Sequence, residues 1–183
     1  MRLFAAISLD DEVRGSLAAV GDELRRRSTG GTFTLPENLH LTLAFLGECN
    51  QQQLVAIQGA MDATSFDPFE LRIEGVGCFK RSNPRSGDVW WAGVRKNESL
   101  LQLQADLVRQ LRDAGFELER RKYKPHVTLG RQIIMNERFA HGGLLGVSIL
   151  QRIHCFELMQ SERIADRLTY TSLHRVQARE IFV

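Results

Sequence analysis

Laid on itself at an offset of 86 residues, the separation of His40 from His126, the chain brings His40-Leu41-Thr42-Leu43 onto His126-Val127-Thr128-Leu129. The same offset places Leu3-Phe4-Ala5-Ala6-Ile7 on Val89-Trp90-Trp91-Ala92-Gly93, two apolar runs of strand length, each followed by a helical pattern. The first helix is predicted to put Val13, Leu17, Val20 and Leu24 on one face, with Asp10 or Asp11 as N-cap. The second puts Leu100, Leu103, Leu107 and Leu111 on one face, with Asn97 as N-cap and Gly115 as the stop. Beyond each motif lies one more strand candidate, Phe69 to Phe79 and Ile149 to Met159. Strand, helix and motif strand therefore occur twice. The repeat predicts an α+β fold of two pseudo-symmetric lobes, with mainly antiparallel sheets flanked by helices and a cleft between them that receives one motif from each. A chain of 183 residues with 43% hydrophobic content suits one sizeable core, so residues 1–183 are expected to form a single bilobal domain.

Nothing in the chain reads as a linker or a low-complexity segment. The turn-rich stretches Gly30 to Asn38 and Lys80 to Asp88 are expected as surface loops around a site. The opening Met1-Arg2-Leu3-Phe4-Ala5 is too brief an apolar run for a signal peptide, and no run approaches the roughly 20 apolar residues that span a bilayer. A cytoplasmic protein, without membrane attachment and monomeric, is the expectation. Cys49, Cys78 and Cys155 are odd in number and far apart, which predicts free thiols rather than disulfides or a zinc site. A net charge of +2 does not announce a nucleic-acid binder. Its distribution says more: Arg120, Arg121, Lys122, Lys124 and Arg131 lead into and through the second motif, and such an approach to His126 suits an anionic substrate. Lys80, Arg81 and Arg85 form a second basic loop beside Trp90 and Trp91, a combination that can stack on and neutralise single-stranded RNA. The repeat nevertheless assigns at least one of these tryptophans to the core, and Arg25-Arg26-Arg27 reads as an exposed helix end.

On a strand, side chains alternate faces, so His40 and Thr42 share one face while Leu41, Leu43 and Phe45 share the other. His126 and Thr128 likewise oppose Val127 and Leu129. Strict alternation sends Arg131 with Val127 and Leu129, unless a bulge at Gly130 turns it back. Two such strands offer two imidazoles and two hydroxyls to one substrate. In-line displacement at phosphorus needs a base on one side and an acid on the other, and a pair of histidines with reference pKa near 6.5 can supply both. Thr42 and Thr128 can donate to the equatorial phosphate oxygens. The residues alone do not say which histidine is the acid. His-x-Thr lacks a second strong metal ligand, so no metal is expected. His141, His154 and His174 have no Thr two residues on, and surface or packing roles are expected for them.

The chain resembles the two-histidine (2H) phosphoesterase superfamily, and within it the RNA 2′,3′-cyclic phosphodiesterases, also called 2′-5′ RNA ligases. The likeness is carried by Met1 to Ile7 as opening strand, Glu37-Asn38-Leu39-His40-Leu41-Thr42-Leu43-Ala44-Phe45-Leu46-Gly47, Lys124-Pro125-His126-Val127-Thr128-Leu129-Gly130-Arg131, and Tyr170-Thr171-Ser172-Leu173 as closing strand. It implies hydrolysis of an RNA 2′,3′-cyclic phosphate end to a 2′-phosphate without metal, nucleotide or other cofactor. It also implies that His40 is the proton donor to the 3′ oxygen and His126 the acceptor from water. Reverse 2′-5′ ligation is the same chemistry run backward. Arg131, Lys124, Tyr123 and Phe45 are the candidate substrate contacts. The ending Arg175-Val176-Gln177-Ala178-Arg179 departs from the Phe-Pro ending common in the family and leaves the end of the last strand open. Two other readings remain beside this one: a cyclic phosphodiesterase for small nucleotides, and a non-catalytic module that binds RNA ends.

Overall fold

The computed structural model describes residues 1–136 and 143–179 and holds nine strands and three α-helices among them. His141 lies outside the described residues. The repeat appears as β1 (Arg2–Ser8), α1 (Asp11–Arg26), β2 (Ser28–Phe33) and β3 (His40–Glu48), then α2 (Gln51–Asp62), β4 (Phe69–Phe79), β5 (Asp88–Val94), α3 (Glu98–Asp113) and β6 (His126–Met135). The chain continues through β7 (Ile149–Ile153), β8 (Cys155–Ile164) and β9 (Arg167–Gln177). The fold is α+β with antiparallel pairing throughout the described sheet.

The strand order is β7-β4-β5-β6-β3-β1-β8-β9, with β2 paired to β6. It is symmetric about its middle, where the motif strands β6 and β3 meet and β5 and β1, the strands matched by the 86-residue offset, flank them. β4 follows the first motif yet pairs with β5 of the second half, and β8 pairs with β1 of the first, so each half completes the other's sheet. Ile153 and Cys155 are separated by one residue but sit on β7 and β8, far apart in that order. The sheet must therefore curl. The Gln151 side chain ties the curl shut, donating to Ser8 O at 3.0 Å and accepting from Asp10 N at 3.1 Å.

Helix faces fill the interior as the spacing predicts: Val13, Leu17, Val20 and Leu24 of α1 and Leu100, Leu103, Leu107 and Leu111 of α3 are buried. Asn97 caps α3 by accepting from Leu100 N at 2.9 Å, and Gly115 follows its end at φ +90°, a conformation that favours glycine. Asp10 stands at the N-cap of α1 without a side-chain cap hydrogen bond. Trp90 is core, 3% exposed.

Three expectations are corrected. The stretch from Gly30 is not all loop, because β2 pairs Gly30 with Ile134 and Thr32 with Arg131. The candidate strand Ile149 to Met159 is broken at His154 into β7 and β8. Strict alternation fails in β3: the β1–β3 register skips Leu43 between Ala44 and Thr42, and beyond this bulge Phe45 is 53% exposed rather than packed with Leu41 and Leu43. The departing terminus still completes its strand, since β9 pairs with β8 as far as Gln177 opposite Cys155. Among the described residues no helix is long and apolar enough to cross a membrane, and the three cysteines are free.

Candidate active site

Leu41 of β3 pairs with Val127 of β6. Since antiparallel partners run in opposite senses, this pair sets His40 toward Thr128 and Thr42 toward His126. His40, Thr42, His126 and Thr128 are each half-buried, between buried Leu41, Leu43, Val127 and Leu129 on the opposite face. The two motifs thus bring their polar groups together on one face, as the alternation predicts.

The histidines are held alike. His40 Nδ1 lies 2.7 Å from Asn38 O, and His126 Nδ1 lies 2.7 Å from Lys124 O. A carbonyl only accepts, so each Nδ1 carries its proton and donates, which leaves Nε2 as the atom that gains or loses one. Thr42 Oγ1 is 3.0 Å from His40 Nε2; with the ring neutral the hydroxyl donates to it. Aromatic rings support both imidazoles. Phe4 and Tyr170 stand at 4.8 and 5.2 Å from the His40 ring, and Phe79 is edge-on at 5.1 Å and Trp91 tilted at 6.4 Å from His126. Burial under these rings pushes both imidazole pKa values below the ordinary histidine value, and the Arg131 charge lowers both further.

That influence of Arg131 follows from a second bulge. The β5–β6 register steps from Trp91 opposite Thr128 to Trp90 opposite Gly130, skipping Leu129; Leu129 and Gly130 are both buried and Arg131 is exposed. The bulge returns Arg131 to the face of His126, where its charge bears on His40, His126 and Tyr170. Among the described residues it has no carboxylate partner in an ion pair. Phe45, at the equivalent position 86 residues earlier, has the Arg2 guanidinium 5.1 Å above its ring. Tyr123 is placed differently. Its hydroxyl donates to Thr42 O at 2.9 Å, joining the approach to β6 to the first motif strand. Lys124 is exposed, and its backbone rather than its ammonium touches a site residue.

A cleft of about 200 Å³ opens beside His40, bordered by Phe4, Ser8, Tyr170 and Ser172. Beneath it Glu157, 3% exposed, accepts from Ser8 Oγ, from Ser172 Oγ at 3.0 Å and from Arg175 Nη2 at 2.6 Å. Tyr170 opens the closing-strand stretch Tyr170 to Leu173 but was not singled out for the site, and for Glu157 a lone Glu amid an apolar run, Phe156-Glu157-Leu158, was the available signal. His154 is exposed at the break between β7 and β8, and His174 pairs with Asp62 at 2.7 Å; neither belongs to the site. No group of three His, Cys, Asp or Glu side chains among the described residues is placed to hold a metal ion.

The family model of LigT-like phosphoesterases matches residues 7–91 and 93–140, spanning both motifs. The chain belongs to the LigT-like phosphoesterase family. The RNA 2′,3′-cyclic phosphodiesterase of Archaeoglobus fulgidus is 38% identical over 131 residues, covering 72% of each chain. That of Thermotoga maritima is 37% identical over 134 residues, 72% of this chain and 70% of the relative. Among solved structures, E. coli LigT complexed with 3′-AMP superposes with a TM-score of 0.79 at 28% identity, covering 98% of both chains. Membership of the LigT-like phosphoesterases accounts for the order of the two motifs, both of which fall within the matched span.

Proposed function

We propose that this LigT-like phosphoesterase hydrolyses RNA 2′,3′-cyclic phosphate ends to 2′-phosphates by an acid–base pair of histidines, without a metal ion. The observation that carries the reading is the matched pair of imidazoles on adjacent motif strands, each with Nδ1–H held by a carbonyl and Nε2 left to move a proton. The names of the relatives support the substrate. With the phosphate between the motifs, His126 Nε2 takes a proton from water as its oxygen attacks phosphorus. The P–O3′ bond breaks, and His40 Nε2–H delivers its proton to O3′. Thr42, Thr128 and the Arg131 guanidinium face the equatorial oxygens and hold the charge that develops there. With an RNA 5′-hydroxyl in place of water as the nucleophile, the same groups form a 2′-5′ bond as P–O3′ breaks; in water hydrolysis dominates.

What supports the direction of transfer is the cleft beside His40. The departing O3′ stays on its ribose, so the acid must stand where the nucleoside has room, whereas the attacking water needs little. The cleft borders His40. Phe45 and the cationic segment around Lys124 would then meet the RNA outside the phosphate site.

The test is product analysis with a short RNA ending in 2′,3′-cyclic phosphate, treated in EDTA. A 2′-phosphate product formed by the wild type and lost in His40→Ala and His126→Ala agrees with the proposal. Retained binding with unchanged RNA would favour the end-binding module instead.

A further inference from the structure

Glu157 is nearly inaccessible and yet is not part of the phosphate chemistry; what it does is orient two hydroxyls. Ser8 Oγ donates to Glu157 Oε2, and Ser172 Oγ donates to Oε1 at 3.0 Å. Arg175 closes the arrangement with hydrogen bonds from Nε at 2.9 Å and Nη2 at 2.6 Å to Oε1. Burial alone would raise the carboxyl pKa, but the hydrogen bonds from Ser8, Arg175 and Ser172 outweigh it and hold the group below the usual carboxylate range. An ionised carboxylate has no proton to offer, so both serines must turn their only protons toward it. Their lone pairs are what remains for the cleft, which both residues border.

A cleft presenting two fixed acceptors favours a ligand with two donors. The terminal nucleotide of an RNA with a 2′,3′-cyclic phosphate has few: O2′ and O3′ are both esterified to phosphorus, and O5′ is bonded to the preceding phosphate. Only the base retains N–H groups. The cleft lies on the His40 side, where the proposed reaction places the nucleoside, and Tyr170 supplies an aromatic face beside the imidazole. Arg14, also on the border, is engaged by Asp11.

We infer that this cleft is a base-recognition subsite, in which Ser8 and Ser172, oriented by Glu157, accept from the exocyclic amine of the terminal nucleobase. The inference rests on the proposed cyclic phosphodiesterase reading. It makes the enzyme discriminate among RNA ends: adenosine, cytidine and guanosine ends carry an exocyclic amine, whereas uridine offers one N–H flanked by carbonyl oxygens that the serine lone pairs repel. Glu157 is a positioning residue here, acting through the serines.

The experiment compares kcat/KM for 2′,3′-cyclic phosphates of adenosine and of purine riboside, the same ring without its amine, and of cytidine and uridine. Leaving a site's hydrogen-bonding groups unpaired discriminates strongly, and a preference of about tenfold or more for the amine-bearing member of each pair is expected. The Ser8→Ala/Ser172→Ala variant, checked for folding by circular dichroism, should bring both ratios toward one. Equal kcat/KM across each pair in the wild type would overturn the inference whether or not the variant folds, and so would ratios that persist in a folded variant. Absence of turnover on all four compounds and on a short cyclic-ended RNA would instead refute the underlying phosphodiesterase reading.

Discussion

Leu41 and Val127 are paired across the middle of the sheet, and each is the residue that follows a motif histidine. Two buried aliphatic side chains thereby set how the two motif histidines stand to each other on the opposite face. Tyr123 reinforces the junction through its hydrogen bond to Thr42 O. Tyr123→Phe removes that bond and should lower kcat more than it raises KM, because the displaced group is a motif strand. Steady-state kinetics on a cyclic-ended RNA would check this, and a pure KM effect would return Tyr123 to the substrate contacts.

Arg131 should act on both rate and pH dependence. On the proposed reaction Arg131→Gln removes the positive charge that meets the developing phosphate charge, and a loss of about 10²–10³ in kcat is expected. Burial comes first and the Arg131 charge adds to it in lowering the two imidazoles. Without that charge both should rise, moving the kcat/KM profile to higher pH. A profile that keeps its position would show that Arg131 does not face the pair.

For the wild type the sign is set by the same shifts. In the proposed reaction the free enzyme needs His40 protonated and His126 neutral, and burial lowers both imidazoles below the ordinary value of 6.5. The bell in kcat/KM should therefore peak on the acid side of pH 6.5 and fall as pH rises through neutrality, its limbs reporting the pair rather than single residues. Folding follows the opposite limb. Depressed histidines bind fewer protons folded than unfolded, so stability should decline as pH falls below 6.5, and thermal melts at pH 7.5 and 5.5 would measure it.

Glu157→Gln removes the charge that faces the Arg175 guanidinium and replaces one of the two acceptor oxygens, Oε1 shared by Ser172 and Arg175 or Oε2 bound by Ser8, with an amide donor. A destabilisation of about 1–3 kcal/mol is expected, read from denaturant titration. At pH values below the depressed carboxyl pKa the wild type loses the same contribution, so the difference between the two proteins should shrink as pH falls.

How the chain announces this site depends on distance along it. The repeat, the α1 and α3 faces and the two His-x-Thr strands are legible because helix and strand periods are local. Alternation alone misplaces Phe45, since the bulge after Leu43 depends on the register with β1, whereas the bulge that returns Arg131 is signalled by the neighbouring Gly130 and decided by the register with β5. The break at His154 is hidden similarly: Ile149 to Met159 is apolar enough for one strand, and only the curl of the sheet divides it between two partners. Glu157, Ser8 and Ser172 come together across 149 and 15 residues of chain, and no spacing rule connects them.

The most direct measurement of the two-histidine account is kcat for hydrolysis of a cyclic-ended RNA in EDTA by His40→Ala, His126→Ala and the double variant. Groups that act as one unit are strongly non-additive. Each single variant should lose about 10²–10⁴-fold, with the double variant scarcely slower than the worse single. Either single variant retaining activity within tenfold of wild type, or losses that simply multiply in the double variant, would contradict it.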